Sequence, residues 1–490
     1  MKKTELSVSI QRVMIVFVFL LIGLISYIAY FQVFKAPEIA EKPGNVRIAA
    51  KRNEVLRGTI YDRNGVALTK SEKVNATTQK RTYTEGKYYA NILGYVDTKY
   101  GVSGLERTLD KTLIEYNSIT LGKLLRSLNF KDAIKNRNQK EDKVGNSVFT
   151  TFDNKIQKAA YDALGDHDGA AVVLNPKTGE VLAMVSKPSY NPEDLEEVMK
   201  KANAGEIKGH PLMNKVVSGM YPPGSTFKLI TLSSALENIP GVENRTFNDN
   251  GKIVFNSKQS LRNQHGTSYG KISLRTALEV SSNVVFGTLA GELGNEKLKA
   301  TAEKFGFNNK VPAEGLAVET SEFPTLSKSE PGSIAQSGIG QSKDLATPMQ
   351  MALVASTIAN EGTMMQPTVI SKVVNKDNDL VSKGSSKAIR SDVISKSVAN
   401  TIKDYMTTLV DNRAKRDWGV FRGLNAAGKT GTADYVLPNG KDGTPHAWFV
   451  GFAPVDNPQY AVAVIVEAGG NGGEVAAPIA GQILRSALSK

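Results

Sequence analysis

The sequence predicts an α+β protein in three parts: an N-terminal transmembrane helix, a small α+β module, and a large domain with an antiparallel sheet packed between helices. Three observations support this prediction. An uncharged apolar run occupies residues 13–34, strand patterns occur at both ends of the region after residue 147, and a helix-rich stretch separates them. We therefore expect boundaries at 1–34, 35–146 and 147–490.

The first part should cross a membrane. Val13 to Phe34 contains no charged residue, so as a helix it can span the roughly 30 Å hydrocarbon core. It is longer than the apolar core of a signal peptide and no small-x-small cleavage site follows, although a cleaved signal peptide is the alternative. Lys2, Lys3 and Arg12 precede it, which favours a cytoplasmic N-terminus. We expect a single-pass cell-membrane protein whose remaining chain is extracellular.

Composition excludes several classes of site. The 490 residues, with 41% hydrophobic and 22% charged, indicate a globular chain of more than one domain. There is no cysteine, so disulfides and thiolate metal sites are excluded. The net charge of +13 is spread along the chain without a basic run interleaved with aromatics, so we expect no nucleic-acid partner. We also predict no histidine-based metal site, because the four histidines lack metal-site spacing: His167, His210, His265 and His446.

Residues 35–146 should form a separate polar module, which we expect to act as a pedestal or dimerisation-like unit. Pro37 and Pro43 mark a connector after the membrane helix. The segment 57–65 contains Asp62-Arg-Asn-Gly65, which is typical of a tight turn, and its flanks at 58–61 and 66–68 are predicted as short strands. No catalytic grouping occurs in this module.

The region 147–490 has strands at both ends and helices between them. Asp153 is predicted to cap a helix that ends at Leu164. The turn-forming segment Asn175–Gly179 predicts a hairpin between two apolar strands. The predicted strands are 147–152, 170–174, 180–185, 447–452 and 460–467, and the predicted helices are 225–236, 274–293, 347–360, 392–410 and 475–489.

Three short motifs carry the chemistry. They are Ser225-x-x-Lys228, Ser281-x-Asn283 and Lys429-Thr430-Gly431, the last followed by Thr432. Each is weak alone, since Ser268–Lys271 is a second Ser-x-x-Lys and Lys177–Gly179 a second Lys-Thr-Gly. The three motifs in this order are the signature of serine acyl-transfer enzymes.

Ser225 and Lys228 fit a nucleophile and its base. Pro222-Pro-Gly224 cannot be helical, so a helix should begin near Ser225 and place Lys228 one turn away on the same face. Burial among apolar neighbours would lower the pKa of Lys228 and let it accept the serine proton. The alternative is a helix-capping serine with a lysine facing solvent.

The other two motifs fit substrate binding and proton transfer. Ser281 and Asn283 are predicted to serve as a proton shuttle and an amide-binding group, although polar filler between helices is the alternative. Residues 423–430 formally match a phosphate loop, but turn residues rather than a helix follow them. An edge strand presenting Lys429, Thr430, Gly431 and Thr432 suits an anionic, peptide-like substrate better.

With these residues, the chain resembles the class B penicillin-binding proteins, and among them the shorter Gram-positive members without PASTA repeats. The resemblance covers nearly the whole chain, and its segments are the membrane anchor, 57–65, 104–106, 150–153, 176–188, 221–228, 281–283, 340–341, 347–348 and 428–433. It implies a serine-transpeptidase (β-lactamase-like) domain at 147–490. A charged stretch at 408–422, before the Lys-Thr-Gly strand, departs from the pattern of many relatives.

The resemblance implies a peptidoglycan D,D-transpeptidase that cross-links stem peptides, releases D-alanine and is inhibited by β-lactam antibiotics. Ser225 would attack, Lys228 would act as base, and the N–H groups of Ser225 and Thr432 would form an oxyanion hole. Ser281, near Lys429, would protonate the leaving group and Asn283 would bind a substrate amide. Lys429, Thr430 and Thr432 would hold the terminal carboxylate.

The family resemblance also suggests partners and leaves alternatives open. A membrane-embedded glycan polymerase and other cell-wall machinery are expected partners, and a D,D-carboxypeptidase side activity is compatible with the same residues. A β-lactamase, a β-lactam sensor or a mainly scaffolding protein would use the same motifs. A role in elongation, division or sporulation, the acceptor amine and the oligomeric state are left open by the sequence.

Overall fold

The computed structural model describes residues 5–35, 52–75, 78–116, 143–257, 259–437 and 440–489. Helix α1 spans Glu5–Tyr30 and continues as a π-helical turn over Phe31–Lys35. Within it, Arg12–Lys35 has a mean hydropathy of 2.6, has no buried residue and is long enough to cross a membrane. The predicted apolar helix is therefore confirmed in position and length.

The N-terminal module consists of short strands and helices around a small core. Its elements are β1 (Ile60–Tyr61), β2 (Thr69–Lys73), β3 (Gln79–Tyr83), α2 (Ala90–Leu93), β4 (Val96–Asp97), β5 (Gly101–Val102), α3 (Gly104–Thr108) and α4 (Asp110–Ile114). The predicted turn is present, because Asp62 Oδ1 accepts hydrogen bonds from the backbone N–H groups of Asn64 (2.9 Å) and Val66 (2.7 Å). The strand predicted over 58–61 is shorter in the structure, where it is β1. The strand predicted over 66–68 is represented by a single bridge between Ala67 and Tyr61.

A buried ion network holds this module together. Glu106 is fully buried and accepts from Arg57 Nε (2.6 Å) and Arg81 Nε (2.7 Å), one on each carboxylate oxygen. The Arg57 guanidinium, itself buried, also bonds Asp110 and the carbonyl of Glu106, both at 2.5 Å. A buried charge is tolerated only when it is paired and hydrogen-bonded, so each of these groups depends on the others.

Replacing Arg57 by methionine should destabilise the module by about 3–5 kcal/mol, because Glu106 would keep only one cationic partner in a buried site. Equilibrium urea unfolding of the full-length protein, followed by circular dichroism, measures the change. Lys99→Met is the matched control, since its pair with Glu196 is exposed and should contribute nothing measurable. Equal midpoints for the two variants would contradict the assignment.

The large domain is built on a five-stranded antiparallel sheet. Its first elements are β6 (Ser147–Thr150), α5 (Asn154–Ala163), β7 (Gly169–Leu174), β8 (Val181–Lys187), α6 (Leu195–Asn203), α7 (Lys215–Ser218), α8 (Lys228–Asn238), β9 (Thr246–Asp249), β10 (Lys252–Val254), β11 (Ser260–Arg262), β12 (Gly270–Ser273), α9 (Leu274–Glu279) and α10 (Asn283–Lys304). The remaining elements are α11 (Pro331–Ser337), α12 (Pro348–Ala359), β13 (Met364–Met365), β14 (Ile370–Val374), β15 (Leu380–Lys383), β16 (Ala388–Arg390), α13 (Lys396–Arg416), β17 (Ala427–Ala433), β18 (His446–Ala453), β19 (Tyr460–Val466) and α14 (Ala476–Leu488). The strand order is β17-β18-β19-β7-β8, with β17 at one edge.

Helices cover both faces of this sheet, as predicted. Ala171 and Val173 of β7 pack in one hydrophobic cluster with α5 and α14. Their neighbours Ala170 and Val172 point the other way, into the main core with α8 and α12. Successive strand residues face opposite sides, so the fully apolar β7 is explained by burial on both faces.

A second sheet joins the N-terminal module to the large domain. β1 pairs in parallel with β6, and β6 pairs antiparallel with β14, which continues to β15. Ile60 lies opposite Val148, and both belong to the same hydrophobic cluster as Phe227. The boundary expected at residue 147 thus separates β1 from β6, although these two strands are hydrogen-bonded to each other.

Three predicted helices differ in detail from the structure. The helix expected over 274–293 is two helices, α9 and α10, because the 280–282 turn interrupts it and Ser282 caps α10 through Val285 N–H (3.0 Å). Ser225 lies in a 3₁₀ turn over Gly224–Phe227 rather than in the first turn of an α-helix. The helix expected over 392–410 begins later, after its cap Ser395, and ends later, at Arg416.

Candidate active site

The 3₁₀ turn Gly224–Phe227, here called the nucleophile turn, is held against β17. Gly224 has φ of +54° and its N–H donates to Gly340 O (2.9 Å). A Cβ at this position would lie 2.8 Å from the carbonyl oxygen of Thr432, so only glycine fits without displacement. Ser225 follows directly and is half-buried, which leaves its side chain accessible beside the edge strand.

Lys228 begins α8 and is completely buried. Its Nζ donates to the carbonyl of Ser281 (2.7 Å), to Ser281 Oγ (3.2 Å) and to Asn283 Oδ1 (2.7 Å). Burial holds the pKa of Lys228 well below its usual range, the Lys429 cation lowers this pKa further, and Asp249 partly offsets both effects. A lysine with a lowered pKa gives up its proton more easily and can then accept one, as the predicted base must.

Lys429 approaches the same serine from β17. Its Nζ donates to Ser281 Oγ (2.8 Å) and to the carbonyl of Thr430 (3.1 Å), and burial lowers its pKa to about 7. The Lys429 cation in turn contributes to lowering the pKa of Lys228. Ser281 Oγ accepts from both lysines, so its own hydroxyl proton is left for a third group in the site.

The 280–282 turn carries Ser281 in a left-handed conformation, with φ of +56°. Behind it, the buried carboxylate of Asp249 accepts from Ser282 Oγ (2.6 Å) and from Asn263 Nδ2 (2.8 Å to each oxygen). Asn263 in turn accepts from the backbone N–H of Val284 (3.1 Å). This network fixes the turn, and strained non-glycine backbone of this kind persists only where surrounding groups hold it.

Asn283 opens α10 and links the turn to β11. Its Oδ1 accepts from Lys228, and its Nδ2 donates to the carbonyl of Arg262 (2.7 Å). The side chain is only half-buried, so one edge of the amide faces the site. Its amide orientation follows from the carbonyl of Arg262, which can only accept and so must face the nitrogen.

β17 forms the opposite wall. It pairs with β18, from Ala427 opposite Phe452 to Ala433 opposite His446, and no described strand pairs with its other edge, which faces the nucleophile turn. Thr430 and Thr432 lie on one face because strand side chains alternate, and both are half-buried. The space between β17, the 280–282 turn and the nucleophile turn is called the cleft below.

The structure brings four of the predicted site residues into one hydrogen-bonded group and places Ser225 on the turn that lies against β17. Direct hydrogen bonds join Lys228, Ser281, Asn283 and Lys429, while Thr430, Gly431 and Thr432 continue the same strand. The competing Ser-x-x-Lys lies elsewhere, since Ser268 is exposed and donates to the carbonyl of Asp249 (2.8 Å). Residues 177–179 lie in the turn between β7 and β8, and within the described ranges no group of three or more His, Cys, Asp or Glu side chains could hold a metal ion.

The charged stretch at 408–422 is the end of α13 and the turn after it. Asn412 Nδ2 donates to Glu279 Oε1 (2.9 Å) on α9, two residues before Ser281. The Arg413 guanidinium lies 4.7 Å from the ring centre of Trp418, whose Nε1 donates to Gly473 O (2.8 Å). Polar residues of this stretch therefore connect α13 to α9, just before the 280–282 turn, and to the loop that follows β19.

The sequence matches two known families of protein domain. Residues 169–485 match the penicillin binding protein transpeptidase domain. Residues 57–136 match the penicillin binding protein A dimerisation domain. The two matches fall on the large domain and on the N-terminal module respectively.

Whole proteins and solved structures give the same result. The peptidoglycan D,D-transpeptidase PbpA of Mycolicibacterium smegmatis is 32% identical over 99% of both chains, and that of Mycobacterium tuberculosis is 31% identical over 99% of both. The penicillin G acyl-enzyme complex of penicillin-binding protein A from M. tuberculosis has a TM-score of 0.78 at 31% identity, covering 89% of this chain and 100% of the other. A D,D-transpeptidase domain from Eggerthella lenta has a TM-score of 0.77 at 32% identity, over 89% and 98%.

Proposed function

Since this chain belongs to the penicillin-binding protein transpeptidases, we propose that it cross-links peptidoglycan stem peptides through an acyl-enzyme on Ser225. The observation that carries this assignment is the buried Lys228, which donates to Ser281 and Asn283 and lies one turn after Ser225. The same acyl-enzyme step accounts for reaction with β-lactams, which form acyl-enzyme complexes with the M. tuberculosis relative.

Acylation follows from the protonation states of the two lysines. Neutral Lys228 takes the Ser225 hydroxyl proton while Oγ attacks the carbonyl between the two terminal D-alanines. The N–H groups of Ser225 and Thr432 stabilise the negative charge that develops on the carbonyl oxygen. As the C–N bond breaks, Ser281 gives its proton to the departing D-alanine amine and is reprotonated through Lys228, which restores the neutral base.

Deacylation repeats the sequence with a different nucleophile. The amine of a neighbouring stem peptide loses a proton to Lys228 and attacks the ester carbonyl, a new amide forms, and Ser225 regains its proton. Water in place of the amine would give a D,D-carboxypeptidase side activity. No metal or organic cofactor takes part in these steps.

In this proposal β17 and Asn283 bind the substrate. The Lys429 cation and the hydroxyls of Thr430 and Thr432 hold the terminal carboxylate, and the backbone of Gly431 lets the substrate approach the strand closely. Because burial alone brings the pKa of Lys429 to about 7, a bound carboxylate favours its charged form. Asn283 binds an amide of the stem peptide.

The proposed site of action is the outer face of the cell membrane. We infer that Arg12–Lys35 spans the cell membrane once with the catalytic domain outside. We assign residues 35–146 as a pedestal, in keeping with the match of 57–136 to a dimerisation domain. A membrane-embedded glycan polymerase is the partner we propose for this pedestal.

The test is the intact mass of the full-length, detergent-solubilised protein mixed with penicillin G and followed over time. We expect one long-lived adduct, located by peptide mapping on the fragment that contains Ser225. An adduct that forms and disappears with hydrolysed drug would indicate a β-lactamase. Absence of any adduct, together with no release of D-alanine from stem peptides, would leave a scaffolding role and overturn the assignment.

A further inference from the structure

The segment that leads into the nucleophile turn is tied to two charged residues outside every motif. Tyr221 is followed by Pro222, Pro223 and Gly224, and its hydroxyl donates to Glu467 Oε1 (2.5 Å). Lys215, on α7, pairs with the same carboxylate oxygen through its Nζ (2.8 Å). A single acceptor atom therefore connects α7, the end of β19 and the residue four positions before Ser225.

The Lys215–Glu467 ion pair is needed because Lys215 is buried. The Lys215 side chain is 2% exposed, and among the described residues Glu467 is its one acidic partner within ion-pair distance. An unpaired cation at such a site is strongly unfavourable, so Glu467 is held in place by Lys215. Burial, and then Glu467, raise the pKa of Tyr221, which keeps its phenol protonated and donating.

Other contacts fix the same segment from its remaining sides. The Tyr221 ring meets the rings of His446 and Trp448 edge-on, at centroid distances of 5.5 and 6.2 Å. Trp448 Nε1 donates to the carbonyl of Pro222 (3.0 Å). The backbone of Tyr221 exchanges two hydrogen bonds with Ala346, of 3.1 and 2.8 Å. The Tyr221 hydroxyl adds to these a polar contact with Glu467, the residue directly after β19.

Glu467 also begins the loop that reaches the far end of β17. The next residue, Ala468, donates its N–H to His446 Nδ1 (3.1 Å), which therefore carries no proton on that nitrogen. Further along the loop, Gly472 N–H donates to Thr432 Oγ1 (3.4 Å). Glu467 therefore accepts a hydrogen bond from Tyr221, and the loop that it begins donates one to Thr432.

We propose that Lys215, Glu467 and Tyr221 form a positioning relay that sets the nucleophile turn against β17, and so the spacing of the two N–H groups of the oxyanion hole. The three residues touch no substrate, and they act through the position of Ser225. This inference rests on the proposed role of Ser225. Its effect falls on the acylation rate constant rather than on ligand binding, because the oxyanion exists only after attack has begun.

Stopped-flow acylation of the full-length protein by a chromogenic β-lactam separates the two quantities, the limiting rate constant and the dissociation constant of the non-covalent complex. For Tyr221→Phe we expect the limiting rate constant to fall by about 10- to 100-fold, the order of effect of a displacement near 1 Å. The dissociation constant should stay within about twofold. The rate constant, unlike the amplitude, does not depend on the fraction of protein that is folded.

Two further variants separate positioning from charge. Glu467→Gln keeps an acceptor for Tyr221 but leaves the buried Lys215 cation unpaired, so it should acylate slowly. The double variant Lys215→Met with Glu467→Gln removes that cation together with the ion pair that holds residue 467, so it should remain about 10-fold or more slower than wild type although no buried charge is left unpaired. A double variant that acylates at the wild-type rate would overturn the relay.

Tyr435→Phe is the matched control. Its ring stacks on His446 at 4.2 Å, but its hydroxyl makes no hydrogen bond within the described residues, so acylation should not change. A wild-type rate constant in Tyr221→Phe, with Ser225 still carrying the adduct, would refute the relay alone. Absence of an adduct on Ser225 in the wild-type protein would instead refute the proposed function.

Discussion

Ser225→Ala should form no penicillin adduct at any time or drug concentration. The variant keeps the nucleophile turn, because Gly224 and its contact with Gly340 are unchanged, but it lacks the oxygen that would form the ester. Intact-protein mass of the full-length variant after prolonged exposure to penicillin measures the result. Release of D-alanine from stem peptides should be lost as well.

The matched control is Ser268→Ala. Ser268 belongs to the second Ser-x-x-Lys of the chain, is exposed and lies outside the cleft. This variant should acylate like wild type. Adduct formation by Ser225→Ala, or its loss in Ser268→Ala alone, would show that the nucleophile has been assigned to the wrong motif.

Lys228→Met should slow acylation by about 10²- to 10⁴-fold, the usual contribution of a general base. Methionine fills a similar volume and needs no desolvation of a charge, so the buried site should tolerate it. Stopped-flow acylation gives the rate constant. In the wild-type protein this constant should rise with pH as Lys228 loses its proton, at a pH well below the usual lysine pKa, and this rise should be absent in the variant.

Lys228→Arg tests the same assignment by a second route. An arginine in a protein does not lose its proton, so this variant keeps the positive charge but cannot act as base, and it should be as slow as the methionine variant. Recovery of activity with arginine would mean that the charge of residue 228, rather than its basicity, matters.

Much of the fold follows from local pattern. The apolar runs of β7 and β18, the cap at Asp153 and the turn after Asp62 each depend on residues close in sequence, and all of them are present in the structure. The convergence of the three motifs could be predicted only because their order is typical of one enzyme class. The distances among Lys228, Ser281 and Lys429 then show why those residue types are needed.

The features that could not be predicted depend on contacts between residues far apart in the sequence. The apolar periodicity of residues 274–293 predicts one helix, and nothing local signals that Ser281 adopts a left-handed conformation, because the stabilising Asp249 and Asn263 come from hairpins earlier in the chain. Tyr221 and Glu467 are 246 residues apart. Such pairs follow from the order of strands in the sheet, which local pattern does not specify.

The strand pairing between β1 and β6 has a mechanical consequence. Ile60 and Tyr61 lie beside Val148 and Phe149 in parallel, and the rings of Tyr61 and Phe149 stack at 4.7 Å. A pull along parallel strands loads their hydrogen bonds in shear, all at once, rather than peeling them apart one by one. A force applied to the module is therefore carried through this strand pair to β6 and, by way of β14, into the catalytic domain.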